Sequence, residues 1–330
     1  MTKKTIHVVA AVICDENGNV LIAKRPKDVH QGGLWEFPGG KVEPGEQVTQ
    51  ALVRELQEEL AITATEYRSL IQIHHDYPDK SVFLDVWKVT QFMGEPVGSG
   101  GLGAEGQPVQ WVPSTELHHW AFPAANAAIV KAAQLPSDYV ITPDVSGAAD
   151  DTEEEMDTFL RYVESVLSRG YRLLQLRTKS LDQGQQKVVI SKTLTLCRQF
   201  NAALMINSDL CYLLSDKDEL DVGVHLTGKA LDELNDKPSG YRLVAASCHS
   251  VNDIRKAEQL GLDFVTLSPV LNTSSHPGAK TLGWLAFSEV VKQACIPVYA
   301  LGGMSGEYKG RAIDSGAQGI ASISAYSSDH

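Results

Sequence analysis

The sequence predicts two modules of different fold class, a mixed α and β module over residues 1–135 and a compact parallel α/β barrel over residues 136–330. Three observations carry this. At 330 residues the chain exceeds one average domain. In the first module one long amphipathic helix pattern stands among alternating strand patterns. From residue 139 onward, short apolar strands alternate with amphipathic helices, and eight such strands in about 190 residues suit a closed barrel.

The elements of the first module follow in order. Strands are expected near residues 5–14 and 20–24, joined by the turn DENGN. A helix is expected over 48–60, strands over 67–75 and 82–90, and a closing helix over 124–134. The Gly-rich run GSGGLGAEGQP (98–108) reads as a mobile loop that brings Glu105 toward the site. LPSD (135–138) breaks the closing helix and marks the boundary. The barrel strands are YVITPD, RLLQLRTK, ALMINSD, VGVHLTG, RLVAASCHS, DFVTLSPV, IPVYALGGM and GIASISA, with functional groups expected at their C-terminal ends. Gly302 and Gly303, after the seventh strand, stand where such barrels commonly seat a phosphate.

Composition narrows the classes of partner. The content of 43% hydrophobic and 21% charged residues is ordinary for globular protein. The formal charge is −12, about −5 before residue 136 and about −7 after it. Both halves are acidic, which argues against a nucleic-acid polymer as partner, since such binders carry a basic face. The five cysteines are scattered without C-x-x-C spacing, so reduced thiols and a cytoplasmic location are expected, with no zinc site. No run approaches a membrane span, and no partner membrane is expected. Nothing in the sequence sets an oligomeric state.

Residues 40–62 read GKVEPGEQVTQALVRELQEELAI and hold the chemistry. Glu55, Glu58 and Glu59 fall at offsets 0, +3 and +4, which stacks them on one helix face. A bare E-x-x-E-E is usually a solvated acidic face. Here a Pro38-Gly39-Gly40 turn precedes it, letting the backbone approach a metal or phosphate closely. Like charges so close make sense with a hard divalent cation, Mg²⁺ or alternatively Mn²⁺, which takes a few carboxylates and keeps its waters. Arg54 is expected to pair with Glu46 or a neighbouring carboxylate.

The run fits G-x5-E-x7-R-E-U-x-E-E-x-G-U, and six fixed letters in register arise by chance on the order of once in 10^5 chains. On this motif the first module resembles the Nudix family. One letter departs: Ala61 stands where the pattern has the Gly that ends the helix in a left-handed conformation. KRPKDVHQGGLWEFPGGK (24–41), AEGQPVQW (104–111) and FPAAN (122–126) resemble the MutT-type branch, the 8-oxo-dGTP diphosphatases. The resemblance implies an α/β/α sandwich with a mixed sheet and a nucleoside triphosphate substrate, cleaved to 8-oxo-dGMP and pyrophosphate in nucleotide-pool sanitation. It also implies metal ligands Gly39, Glu55, Glu58, Glu59 and Glu105, with Glu55, Glu58 and Glu59 as the catalytic set. Substrate would be held by Arg25 on a phosphate, Gly40, Phe37 and Phe122 as pocket walls, and Asn126 on the oxidised purine edge. Taken alone, Asn126 reads as a helix N-cap, Arg25 as a surface charge and the two Phe as core.

QLRTK (175–179), Ile206-Asn207, GVHL (223–226), SPVLNTSSH (268–276) and ALGGM (300–304) make the second module resemble the thiamine-phosphate synthase and TenI family, which implies a (β/α)8 TIM-type barrel. Where that family has Asn-Asp-Arg this chain has Asn207-Ser208-Asp209, and where it has G-Q-x-D this chain has Thr227-Gly228-Lys229-Ala230. Its phosphate loop has become Thr273-Ser274-Ser275-His276. Without the aspartates, synthase chemistry is not expected. The candidate barrel site comprises Lys179, Asn207, Ser247, His249, Thr273, Gly302 and Gly303, with a phosphorylated ligand as occupant. His249 resembles the proton-moving His of the TenI branch, while a lone His at a barrel mouth is often structural. The alternatives are a Nudix hydrolase of another, thiamine-related diphosphate, a barrel tautomerase, and a barrel that senses a phosphate compound.

Overall fold

The computed structural model describes residues 5–29, 31–98, 101–145, 152–214, 221–273, 278 and 280–326. The chain divides into two compact units, Met1–Leu135 and Pro136–His330.

The first unit is built on two three-stranded sheets. Strands β1 (Thr5–Ile13), β4 (Thr63–Asp76) and β5 (Ser81–Met93) form one, with β1 parallel and β4 antiparallel to the central β5. Strand β2 (Asn19–Lys24) lies between β3 (Trp35–Glu36) and β6 (Val109–Pro113) in the other, antiparallel to both. Helix α1 (Val48–Leu60) buries Ala51, Leu52, Leu56 and Leu60 against Val9, Ala11 and Ile13 of β1. The i, i+4, i+8 spacing of its three leucines places them on one stripe, which turns the Glu55–Glu59 face away from that core. The expected helix bounds are met. β4 and β5 run longer than expected, and the short β3 and β6 were not expected at all. The closing helix opens as a 3-10 turn (Ala124–Asn126) before α2 (Ala127–Gln134).

The second unit is a closed barrel of eight parallel strands, β7 (Asp138–Ile141), β8 (Leu173–Leu176), β9 (Ala203–Asn207), β10 (Val222–Leu226), β11 (Val244–Cys248), β12 (Phe264–Leu267), β13 (Val298–Leu301) and β14 (Gly319–Ser322), paired in sequence order and closed by β14 on β7. All eight expected strands are present. Their outward residues, such as Leu174, Val224, Ala246 and Val265, join a core shared with helices α3 (Thr152–Ser168), α4 (Gln183–Gln199), α5 (Gly228–Glu233), α6 (Val251–Gln259), α7 (Gly283–Val291) and α8 (Lys309–Asp314). Inside, Tyr139, Phe264 and Tyr299 fill the barrel with ring centroids 5.3–5.6 Å apart. Among the described residues no helix is long and apolar enough to cross a membrane.

Candidate active site

The acidic face of α1 is fastened to the Gly-Gly turn by contacts that explain its sequence. Val9 N–H donates to the Gly40 carbonyl and Ala11 N–H to the Pro38 carbonyl, both at 2.8 Å, so the turn runs along β1. Gly39 has φ +143°, and a Cβ there would lie 2.2 Å from the Val9 oxygen. A Cβ on Gly40 would lie 2.2 Å from Oε2 of Glu55, so this glycine leaves the space that the carboxylate occupies. Gly39 N–H donates to Glu59 Oε2 at 3.0 Å.

Arg54 organises the rest. Its guanidinium donates to both oxygens of Glu46 at 2.9 and 3.0 Å, to Glu55 at 2.9 Å, to Glu58 at 3.1 Å and to the Lys41 carbonyl at 3.0 Å. The expected role of Arg54 as the tie between loop and helix is what the geometry gives, and its bidentate pairing holds the Glu46 carboxyl down to about 2. The opposite happens at Glu59. Burial pushes its carboxyl up to about 8, and Glu36, Glu55 and Glu105 push the same way against the Gly39 hydrogen bond. Burial also raises Glu55. Glu58 is half exposed, with 54% of its side chain open.

The Gly-rich loop that carries Glu105 is hooked to the end of α1 rather than free in its described part. Ala104 N–H and the Gln107 side-chain amide both donate to the Glu59 carbonyl, at 2.8 and 2.9 Å, and Gly103 N–H bonds to the Gln107 carbonyl at 2.8 Å. Ser99 and Gly100 lie outside the described residues. Helix α1 ends where the motif demands: Ala61 takes the left-handed conformation, φ 56° and ψ 32°, that the family's glycine would take.

The donor set suits a hard divalent cation. The buried Glu59 carboxylate has carboxylate neighbours and no ammonium or guanidinium among the causes acting on it, so a cation would remove the repulsion that raises it. Among the described residues no three His, Cys, Asp or Glu side chains already converge as a closed cage. Glu55, Glu58, Glu59 and Glu105 are the side chains that would hold the cation.

Beside this face lies an aromatic wall. Phe37 and Phe122 stack with centroids 5.2 Å apart and planes 15° apart. Trp35 N–H donates to the Ala121 carbonyl at 2.8 Å, which pins the 121–126 segment to β3. Asn126 sits at the N-cap position of α2 but makes no capping bond, so its amide is not spent on the helix. Arg25, expected on a phosphate, is ion-paired with Glu36 instead. Sequence reasoning missed Glu36 although it stands in the quoted run LWEFPGG; a single acid between Trp35 and Phe37 was the available signal. It missed Gln107 as well, which offered no pattern.

At the barrel mouth the expected residues divide. His249 donates from Nδ1 to the Ser268 carbonyl at 2.8 Å, which leaves Nε2 as its open position. Ser247 Oγ lies 2.9 Å from Nε2 of His225 on the neighbouring strand. Gly302 and Gly303 have φ +96° and +68° and press against the 269–272 segment. The Asn207 side-chain oxygen accepts from Asp209 N–H, and the Lys179 backbone N–H donates to the Asp144 carboxylate. Thr273 is half-buried, and Ser274, Ser275 and His276 lie outside the described residues. His225 and its partner Tyr139 were not singled out from sequence, because a His inside a strand reads as core.

An α/β sandwich presenting a carboxylate helix face to a Gly-Gly turn defines a Nudix-type hydrolase unit, and the closed parallel barrel defines a TIM-type unit. Accordingly, the chain belongs to the NUDIX domain family over residues 9–132 and to the thiamine monophosphate synthase family over residues 145–326. It is 50% identical over 95 residues to an 8-oxo-dGTP diphosphatase of Proteus vulgaris, covering 29% of this chain and 85% of that protein. It is 47% identical over 91 residues to a CTP pyrophosphohydrolase of Escherichia coli, covering 28% of this chain and 67% of that protein. The barrel is 34% identical over 176 residues to a thiamine-phosphate synthase of Bacillus licheniformis, covering 51% of this chain and 76% of that protein. Nudix hydrolases generally work with a divalent metal.

Proposed function

We propose that the first unit hydrolyses 8-oxo-dGTP to 8-oxo-dGMP and pyrophosphate with Mg²⁺. The observations that carry this reading are the Phe37–Phe122 stack and, four residues after Phe122, an Asn126 amide that the helix does not use. An amide presents a donor and an acceptor side by side, which matches an oxidised purine edge, and Phe122, backed by the buried Phe37, offers an apolar face to the base. The cation, when bound, polarises phosphoryl oxygens and lowers the pKa of an attacking water. The chain's own residues orient and shield. Arg54 keeps Glu46 and Glu55 in place, Gly39 N–H orients Glu59, and the 101–108 segment holds Glu105 near Glu59. Arg25 is available to exchange Glu36 for a substrate phosphate, a swap between two charge-assisted partners of the same geometry.

The relation to a CTP pyrophosphohydrolase favours one second reading, a hydrolase of an undamaged or pyrimidine nucleoside triphosphate. Pyrophosphate release from 8-oxo-dGTP, dGTP, CTP and thiamine diphosphate, for the intact protein and Asn126→Ala, separates the two. The expected result is a preference for 8-oxo-dGTP over dGTP that falls about 10- to 100-fold in the variant, since polar groups left unpaired reject the wrong base. Equal turnover of the two purines, or faster turnover of CTP, would sink the sanitation reading.

For the barrel we infer binding of a phosphorylated ligand without synthase chemistry. Where the family carries metal-binding aspartates this chain has Ser208 and Ala230, neither of which bears a charge. Ser208 Oγ accepts Thr227 N–H at 3.3 Å, and Thr227 caps α5 by accepting from Ala230 N–H at 3.1 Å. A diphosphate–Mg²⁺ substrate would find no carboxylate there.

A further inference from the structure

Two tryptophans of the first unit meet away from the core around α1. Trp87 and Trp111 pack against that core, whereas the half-buried Trp35 and Trp120 do not. They lie against each other instead, with ring centroids 4.9 Å apart and planes at 83°, an edge-to-face pair.

Their place in the chain explains the pairing. Trp120 is extended, with φ −102° and ψ 138°, so residues 120–122 run as a strand-like segment beside β3. Side chains alternate along extended backbone, which puts Trp35 and Phe37 on one side of their stretch and Trp120 and Phe122 on one side of theirs. The rings meet in two rungs, Trp35 with Trp120 and Phe37 with Phe122. Among the described residues a single backbone hydrogen bond joins the two stretches, from Trp35 N–H to the Ala121 carbonyl at 2.8 Å. One bond fixes a distance and leaves a pivot, so the rungs set how the segment is turned.

The tryptophan rung is also tied to the segment that carries Glu105. Lys24, in register with Trp35, holds its ammonium 5.5 Å from the centroid of that ring. The backbone N–H of the same lysine donates to the Pro108 carbonyl at 2.8 Å, and Val109 N–H donates to the Gly101 carbonyl at 2.9 Å, which closes the base of the 101–108 segment. One residue of β2 thus supports that segment directly and the 120–126 segment through Trp35.

We propose that Trp120, seated on Trp35, is a positioning residue that holds Phe122 and Asn126 in place for the nucleobase, and so sets selectivity among bases without taking part in the hydrolytic step. The proposal rests on the reading of Phe122 and Asn126 as the base contacts. The connection between them is braced: Trp120 N–H donates to the Leu117 carbonyl at 3.1 Å and Asn126 N–H to the Pro123 carbonyl at 2.9 Å. The carboxylates of α1 are fixed separately, by Arg54 and by Gly39 N–H, so a loosened 120–126 segment leaves them where they are. A contact made equally in bound substrate and transition state raises KM when it is lost and leaves kcat alone.

Two measurements on the full chain keep the anchor apart from the base reading. Hydrogen exchange at the Trp35 amide reads the anchor without any substrate. Trp120→Ala is expected to speed it about fivefold and Trp120→Phe to leave it near the unaltered rate, with the α1 amides protected in both. Unchanged exchange in Trp120→Ala overturns the anchor, and loss of protection throughout α1 overturns its local role. Steady-state kinetics with 8-oxo-dGTP, dGTP and Mg²⁺ read selectivity. Trp120→Ala is expected to raise KM for 8-oxo-dGTP about tenfold with kcat within about twofold, and to shrink the preference over dGTP, most of which Trp120→Phe restores. A fall in kcat at unchanged KM, or an unchanged preference, overturns the proposal. An unaltered protein without preference for 8-oxo-dGTP overturns the base reading and the selectivity role with it, while faster exchange in Trp120→Ala would still uphold the anchor.

Discussion

The helix face of the first unit and the mouth of the barrel handle polar groups in opposite ways. On α1, Arg54 pairs with Glu55 and Glu58, whereas Glu59 is faced by Glu36, Glu55 and Glu105 and is pushed up to about 8. At the barrel mouth neutral side chains are tied to their neighbours instead, Ser208 to Thr227 and His225 to Ser247. A cluster of like charges is electrostatically unfinished without a divalent cation, whereas a closed neutral network needs none. The difference teaches that motif survival and motif loss leave distinct physical marks. The first unit holds a charge arrangement that is costly without a cation, and the second ties its mouth together with neutral side chains.

The strongest way to break this comparison is to neutralise the first site. Glu58→Gln or Glu59→Gln keeps the shape of the face while removing one charge, and pyrophosphate release should fall by about 10²- to 10³-fold, in line with losing one electrostatic contact to a developing charge. A loss below tenfold for both would mean that the acidic face is a solvated surface after all.

The pH behaviour of the metal-free protein sharpens the same contrast. Glu59 has a raised folded-state pKa, so the folded state holds its proton more tightly than the unfolded chain does. Its favourable contribution is present below the unfolded value near 4.5 and is lost as pH rises toward about 8. Thermal unfolding in a chelator should therefore show Tm falling from pH 5 to pH 8. Mg²⁺ should restore more at pH 8 than at pH 5, and Glu59→Gln should flatten both trends. A metal-free Tm that rises across this window in the unaltered protein, with no change in the variant, would contradict the assignment.

Arg54 tests whether organisation can be separated from catalysis. Its removal leaves Glu46 and Glu55 without their partner and the Lys41 carbonyl without its donor. Arg54→Ala should lower the denaturant midpoint of unfolding, and Arg54→Lys should rescue little because an ammonium cannot make the bidentate contact. Full rescue by Lys would reduce Arg54 to a point charge.

What could be read from sequence follows the same division. The helix 48–60, its carboxylates and the Arg54–Glu46 tie were legible because a fixed spacing on a 3.6-residue period states which side chains meet. The eight barrel strands were legible from apolar runs. β3 escaped because two residues carry no period, and its contribution, pinning residue 121 and pairing Arg25 with Glu36, is made by one backbone bond and one ion pair across distant segments. The glycines of the 98–108 loop read as mobility, yet Ala104 and Gln107 are anchored on the Glu59 carbonyl at a helix end, an acceptor that composition cannot reveal. Tyr139 and His225 are 86 positions apart, and only barrel closure brings them together.

The smallest effect tests the one letter by which the motif departs. Ala61 closes α1 at φ 56°, and its N–H bonds back to the Gln57 carbonyl at 3.1 Å, as a helix-ending glycine would. A left-handed residue with a Cβ costs about 1–2 kcal/mol. Ala61→Gly removes that strain and adds unfolded-state entropy worth about 0.4–1 kcal/mol. The net expectation is stabilisation by about 0.5 kcal/mol, read as a small rise in the denaturant midpoint without a change in its slope. Because the Glu59 carbonyl two residues earlier anchors Ala104 and Gln107, a relaxed helix end should leave catalysis unchanged. If stability falls instead, the Cβ of Ala61 contributes packing that outweighs its backbone strain, and the departure from the motif would be an adaptation of this chain rather than a tolerated cost.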